Sequence, residues 1–420
     1  MGIGIVLATD VLAAPRTPSA DSEVLERLPL RASSREAAAA RRELATLRAA
    51  AQRDPGDAAA AVALAERYFD QALGQGDPRY VGYAEAVLNK VSGPPSAARL
   101  SMQGQLRQYR HDFNDALADF AAALKLDPDL AEAHAWRGAI FLVQADYAAA
   151  RVECAALQRL QHPVLQAGCE ALALAYTGQL DAAERTLTQA LASARLRDSQ
   201  LWLQTRLGEV AAWRGDVARA ERHYRAALAL GIDDSYLLAA WSDFLLDQGR
   251  PADVITLLTN WEAADPLLLR LTEAESLLKK PAAAAHIQAL GERFAAAAQR
   301  GDTTHRAEES RYALRLRGDV KRAVQLARDN FTEQLEPRDA RVLLEAALAA
   351  NDSAAAQPAL DWLARSGFQD THLRPLALAL RRPVAVPATS GSAMQATPGP
   401  AANTPFSTSA ARSASASAKP

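Results

Sequence analysis

The chain has 420 residues, 49% of them hydrophobic but only 6% aromatic, and its 47 Lys+Arg against 49 Asp+Glu leave a formal net charge of −2. Alanine and leucine carry much of the apolar fraction and favour helix, while the β-branched and aromatic runs that read as strands are scarce, so an all-α chain is expected. The balanced charge supplies no sequence-wide field toward nucleic acid or anionic lipid, and neither is expected as a partner.

Residues 1–13 resemble a secretory signal: a short apolar run, small residues at Ala13 and Ala14, then Pro15. Val11 and Ala13 suit the −3 and −1 places of a cleavage site, which puts the mature start near Ala14. No Lys or Arg precedes the run and Asp10 interrupts it, as if a basic n-region lay upstream. The expected location is the periplasm or another exported compartment; the alternative is an apolar tail on a cytoplasmic protein. No other stretch approaches the roughly 18 consecutive apolar residues of a membrane span.

A flexible lead, residues 14–32, runs into a capping helix over 33–54. There Ser33-Ser34-Arg35-Glu36 fits a capping box and Asp54-Pro55-Gly56 ends the helix. Helix–turn–helix units follow across 58–380, with starts near Ala58, Ala97, Ala131, Val164, Leu201, Ser235, Thr304 and Pro337. Leu267 to Asp302 reads as one more, degenerate pair that lacks the turn glycine, giving about eight or nine hairpins. Residues 382–420 are rich in Ala, Ser, Thr and Pro with no acidic residue, a composition that does not fold and is expected to be a disordered, dispensable tail.

The units echo one another at a period of thirty-four: Gly104 and Gly138, Asp112 and Asp146, Phe113 and Tyr147, Ala116 and Ala150. From Leu201 the pattern reads Leu207-Gly208, Gly215-Asp216, Ala220, Tyr224 and Ala227; from Ala97 it reads Gly104, Asp112, Phe113, Ala116, Phe120, Ala123 and Asp127-Pro128. This joint match resembles the tetratricopeptide repeat over roughly residues 58–365, in the manner of exported bacterial repeat proteins. The resemblance implies a right-handed α-solenoid whose first helices line a concave surface used to bind protein segments.

Carrying the concave places of that family onto this sequence selects Gln105, Gln108 and Tyr109; Glu132, Leu142 and Val143; Leu165, Leu172 and Tyr176. Further along it selects Trp202, Glu209 and Trp213; Tyr236, Asp243 and Asp247; and Glu308, Glu309 and Tyr312. The stripe is aromatic and acidic, which suits a basic–apolar peptide. In particular Trp202, Glu209, Trp213, Tyr236 and Asp243 are expected to converge on one patch. The other reading has Trp202, Trp213 and Tyr236 packed into neighbouring hairpins. Members that clamp a C-terminal carboxylate carry Lys, Arg and Asn at these places, so such a clamp is not expected.

The two cysteines, Cys154 and Cys169, lie equidistant from the Gln161-His162-Pro163 turn, and small neighbours let the two helices come close. They are expected to form a disulfide; the alternative is a pair of reduced core thiols. Zinc is not expected near His162, because no four-ligand spacing occurs. Only His305 clusters with carboxylates, Glu308 and Glu309, which is also how a solvated helix face looks. No nucleophile–base motif or phosphate-cradling loop is present, so no enzyme and no cofactor are expected. The function read from the sequence is a protein-binding scaffold, with self-assembly through terminal hairpins or the convex face as the alternative and a solenoid hydrolase as a lesser one.

Overall fold

The computed structural model describes residues 35–381. The signal-like segment, the lead, Ser33 and Ser34 of the capping box, and the tail from residue 382 lie outside the described residues.

Helix α1 (Arg35–Arg53) precedes nine antiparallel hairpins. These are α2 (Ala58–Gln75) with α3 (Arg79–Leu88), α4 (Ala97–Tyr109) with α5 (Phe113–Leu126), and α6 (Ala131–Val143) with α7 (Tyr147–Arg159). Then come α8 (Pro163–Tyr176) with α9 (Leu180–Ser193), α10 (Arg197–Trp213) with α11 (Val217–Leu228), and α12 (Ser235–Asp247) with α13 (Pro251–Leu258). The last three are α14 (Asp265–Leu277) with α15 (Ala282–Gln299), α16 (Arg306–Tyr312) with α17 (Val320–Asn330), and α18 (Pro337–Ala349) with α19 (Ser353–Ser366). Helix α20 (Leu373–Leu380) closes the array, and no strand occurs among the described residues.

The turns within the hairpins share one chemistry. The amide of the residue after the turn bonds back to a carbonyl five residues earlier, as in Asp146 to Phe141 at 2.8 Å, Asp216 to Ala211 at 2.9 Å and Asp352 to Ala347 at 2.9 Å. Such a closure needs a left-handed residue just before it, supplied by Gly178, Gly215 and Gly249 but equally by His111, Ala145, Lys279 and Asn351. Lys279 accounts for the unit that lacks a turn glycine: the conformation survives there without the residue that marks it in sequence. The carboxylates of Asp146, Asp216, Asp319 and Asp352 then cap the following helix by accepting from a backbone amide three residues on. In the eighth hairpin α16 runs on into a π-helical turn, Ala313–Arg317, and the closing bond there lengthens to Asp319–Ala313.

Packing inside each hairpin follows the small residues. A β-carbon on Gly104 would fall 2.8 Å from the Phe120 ring, and one on Gly208 would fall 2.9 Å from Tyr224, so the aromatic of the second helix occupies the space left by the first. Ala116, Ala150, Ala183 and Ala220 are fully buried against the facing helix. Between α7 and α8 the sulfurs of Cys154 and Cys169 are bonded, with Cα atoms 5.5 Å apart, inside the range a disulfide accepts. Thiol titration of the unreduced, denatured chain is expected to find no free thiol at these positions, and reduction to cost about 3 kcal/mol by closure entropy. Two titratable thiols in that assay would overturn the bond.

The array does not stay open. The chain coils until later hairpins meet earlier ones along a seam, and one buried core runs from α6–α10 through α17–α20. Backbone bonds cross it, Leu335 N to Val143 O at 2.8 Å and Thr371 N to Trp213 O at 3.0 Å. Trp362 Nε1 donates to the Tyr147 hydroxyl at 3.0 Å, and Arg341 grips Asp247 through bonds of 2.6 and 2.7 Å. At the other end of the coil Ser235 Oγ donates to Leu73 O at 2.6 Å, which fixes the first hairpin against the sixth. Gly178 sits in the seam with φ +78°, and a β-carbon there would strike the Gly367 carbonyl oxygen. Gly178→Ala is therefore expected to cost about 2–3 kcal/mol, adding left-handed strain to the displacement of a backbone group. Unfolding in urea reads this directly, and a loss below 0.5 kcal/mol would mean the seam yields freely.

Candidate functional site

The first helices of the hairpins face inward, and on α10 and α12 they bring part of the expected patch together. Tyr236 accepts from Arg206 Nη1 and donates to Glu209 Oε1, each at 2.5 Å. Arg206 also bonds Glu209 at 2.8 Å and lies over the rings of Trp202 and Tyr236, at 5.3 and 4.3 Å. Tyr236 remains 37% exposed although Arg206 and Glu209 stand on one side of it and Glu336 and Arg338, at the start of α18, on another. An accessible side chain faced from two levels of the coil lines an interior space.

The aromatic anchors behave differently from the concave-patch expectation. Trp213 and Tyr176 do not face a groove; they are seam residues. Phe368 packs edge-on against both, at 5.2 Å from Trp213 and 6.2 Å from Tyr176, and the Tyr176 hydroxyl donates to Glu336 at 3.2 Å. Burial raises that phenol well above its usual range, with the Glu336 carboxylate adding to the effect. Trp202 fills the gap over Gly168, where a β-carbon would collide with its ring. The place the repeat pattern assigns to a binding anchor is taken here by the chain's own later hairpins.

Asp243 enters the patch as part of an ion-pair ladder. It accepts from Arg270 and Arg311, each at 2.6 Å; Arg311 grips Glu273 at 2.5 and 2.6 Å; Arg315 joins Glu273 to Glu345 at 3.1 and 2.6 Å; and Arg341 joins Glu345 to Asp247. Burial alone would raise the Asp243 carboxyl, but Arg270 and Arg311, with Arg341 behind them, hold it well below the usual carboxylate range.

On α16 the three expected residues part company. Tyr312 packs at a tilt against Phe294 of α15, 5.4 Å between ring centres, and donates to the Ile287 carbonyl at 3.0 Å, while Glu309 pairs with Arg322 of α17 at 2.9 Å. Both therefore face neighbouring helices. Of the three, Glu308 alone points inward: burial would raise it, yet His305, Arg338 and Arg270 hold it below its ordinary value. The inner arginines escaped the sequence reading because Arg206 and Arg311 fall between the places carried over from the family, and no places were carried onto the last hairpin, which holds Arg338. Their signal was the i+3 spacing of Arg206 and Glu209.

Tyr109 and Glu132 remain available. Tyr109 is half-buried on α4 beside Phe69, 6.1 Å between ring centres. Its phenol is pushed up to about 12 by burial and by the carboxylates of Asp77, Asp302, Asp265 and Glu308. Glu132, at the start of α6, is exposed. No group of three or more His, Cys, Asp or Glu arranged to hold a metal ion occurs among the described residues. No helix of the described residues is long and apolar enough to cross a membrane.

The repeated glycine–aromatic packing and the nine stacked hairpins define the fold class as a tetratricopeptide-type α-solenoid. No protein-family model matches the sequence, and no curated protein matches it. Among solved structures, the Cut9–Hcn1 hetero-tetramer of the APC/C is similar at 12% identity and TM-score 0.47, over 77% of this chain and 63% of that one. The human IFIT1 dimer with PPP-AAAA is similar at 14% identity and TM-score 0.40, over 81% and 85% of the two chains. The tetratricopeptide domain of P58(IPK) gives 15% identity and TM-score 0.20, over 75% and 95%. The chain thus spans less than two thirds of the first of these, and no residue's role is carried across from any of them.

Proposed function

We propose that the protein is a non-catalytic scaffold that holds a segment of another polypeptide, basic and apolar in character, against the inner face of its coil. The observation that carries this reading is the interior itself, where Tyr236, Glu66, Asp70, Glu132 and Arg338 stay exposed among the first helices of the hairpins. A lining that is polar, aromatic and accessible suits an extended guest, which gains affinity from a few anchors and orientation from charge. The disulfide and the signal-like start together support work outside the reducing cytosol, in the cell envelope. Positional-scanning nonapeptide pools incubated with the full chain test the reading, with static light scattering run in parallel. Saturable binding by a monomer is the expected result. Self-association with no retained peptide would replace this reading with an assembly role.

A further inference from the structure

Of the three groups that interlock on the inner face of α10 and α12, two are covered and one is not. The side chains of Arg206 and Glu209 are 14% and 12% exposed, whereas Tyr236 is 37% exposed. The Tyr236 hydroxyl accepts from Arg206 Nη1 and donates its proton to Glu209 Oε1, each at 2.5 Å. Its polar end is thus already engaged, and what it offers to the interior is ring.

The ring is held at its root as well as at its tip. Asp234 caps α12 by accepting from Leu237 N at 2.7 Å, and Ser235 Oγ donates to Leu73 O at 2.6 Å, so the backbone beside Tyr236 is tied down. The first hairpin presses close there: a β-carbon on Gly74 would lie 3.2 Å from the Asp233 carbonyl oxygen. That contact brings Leu73, itself 41% exposed, to the same end of α12. An aromatic side chain fixed before its partner arrives loses little freedom on binding, which is the property of an anchor.

The other aromatics that the repeat pattern marks are spoken for. Trp213 and Tyr176 pack on Phe368, Trp202 fills the space over Gly168, Tyr312 is turned onto α15, and Tyr109 is half-buried against Phe69. Among these six Tyr236 alone is exposed.

The surroundings decide which side chain such an anchor takes. Arg206 lies over the Tyr236 ring at 4.3 Å and over Trp202 at 5.3 Å, so one face of Tyr236 already carries a guanidinium. A second cation on the open face would draw on the same ring electrons and meet the Arg206 charge across them. Arg206 and Glu209 pair at 2.8 Å and Arg338 pairs with Glu336 at 3.2 Å, so the charges near the ring cancel and favour an ion of neither sign. An apolar guest meets no such penalty, and a flat one covers the most ring and gains stacking besides.

We propose that the open face of Tyr236, with Leu73 at the same end of α12, is the receptor for an aromatic side chain of the bound segment. A phenylalanine, tyrosine or tryptophan of the guest stacks on the ring that Arg206 and Glu209 brace, and Leu73 supplies aliphatic surface at its edge. The inference rests on the reading of the interior as a peptide-binding face and specifies its apolar anchor.

The test uses the full-length chain and nonapeptide pools with randomised flanks and a fixed central residue: phenylalanine, tryptophan, leucine, arginine or serine. Wild type is expected to bind the two aromatic pools about tenfold more tightly than the serine pool and about threefold more tightly than the leucine pool. Tyr236→Leu, which keeps apolar bulk, is expected to bring the aromatic pools level with the leucine pool, and Tyr236→Ala to bring them level with the serine pool. Leu73→Ser, on a side chain already open to solvent, should lower the aromatic preference about twofold and keeps the question answerable should the Tyr236 variants misfold. Wild type without an aromatic preference, or a preference left unchanged by these substitutions, overturns this anchor while leaving the interior a binding face. An arginine pool bound more tightly than either aromatic pool, with that advantage lost in Tyr236→Leu, would make the ring a cation receptor and overturn it equally. Wild type that retains none of the pools overturns the interior reading and this inference with it.

Discussion

Truncating Phe368 to alanine is expected to cost about 4 kcal/mol, within the usual range for deleting a buried phenylalanine. Its ring is 6% exposed and touches three aromatics at once: Trp213 at 5.2 Å, Trp362 at 5.5 Å and Tyr176 at 6.2 Å. These come from both sides of the seam, so the loss falls on the closure of the coil more than on any one hairpin. Helix content should change little, the urea midpoint should drop, and small-angle scattering should show a larger radius of gyration. Trp213→Ala is expected to follow the same course because it empties the other half of the contact. If Phe368→Ala unfolds at the wild-type midpoint with unchanged dimensions, the later hairpins do not hold the earlier ones.

Arg311→Ala should cost a comparable amount, about 4 kcal/mol, by a different route. The guanidinium sits between two carboxylates, Asp243 at 2.6 Å and Glu273 at 2.5 Å, and Glu273 is only 4% exposed on its side chain. Deleting it leaves Arg270 to balance Asp243 and Arg315 to balance Glu273, so each carboxylate keeps one cation where it had two. The same ladder fixes a pH dependence. Because the folded state holds Asp243 below its unfolded value, the ionised form contributes stability above about pH 4, the range in which an unfolded Asp is charged. That contribution fades as pH falls from about 4 toward the folded value. Melting temperatures should be level from pH 7 to pH 5 on this account and fall below pH 4, more steeply in wild type than in Arg311→Ala. Equal slopes for the two proteins would remove the ladder from the explanation.

The hairpins were legible in the sequence and the seam was not, for a physical reason. A repeat of thirty-four encodes how each unit meets its neighbours, and the starts at Ala58, Ala97, Ala131, Ser235 and Pro337 coincide with the first residues of α2, α4, α6, α12 and α18. The same pattern says nothing of what meets a unit one turn of the coil later. Phe368 and Thr371 follow a helix end and carry no periodic mark, yet they decide whether Trp213 faces a guest or the chain itself. On α16 the unit start was set at Thr304 whereas the helix begins at Arg306, and of the three residues chosen from that start Glu308 alone faces inward. The cysteine pair was readable because it depends only on distance from one turn, a local quantity. Glu132 was selected from the repeat pattern, whereas Glu66 and Asp70 lie in the first unit, beside the irregular Gly74-Gln75-Gly76 stretch, where no concave places were assigned.

The seam also changes how such a chain must fold. In an open array every contact is with a neighbour, so order can begin at any unit and spread. Here Tyr176 bonds Glu336 across 160 residues, Trp362 bonds Tyr147 across 215, and Gln334 meets His111 across 223. Contacts that distant are made late, after the loop between them has been ordered, and they slow the approach to the native state. Hairpins form quickly and closure follows, so the seam faces at the C-terminal ends of α6, α8 and α10 stand uncovered until α18–α20 arrive. A folding chaperone would meet the protein in that interval, and a stop in synthesis before residue 335 would leave those faces bare for good.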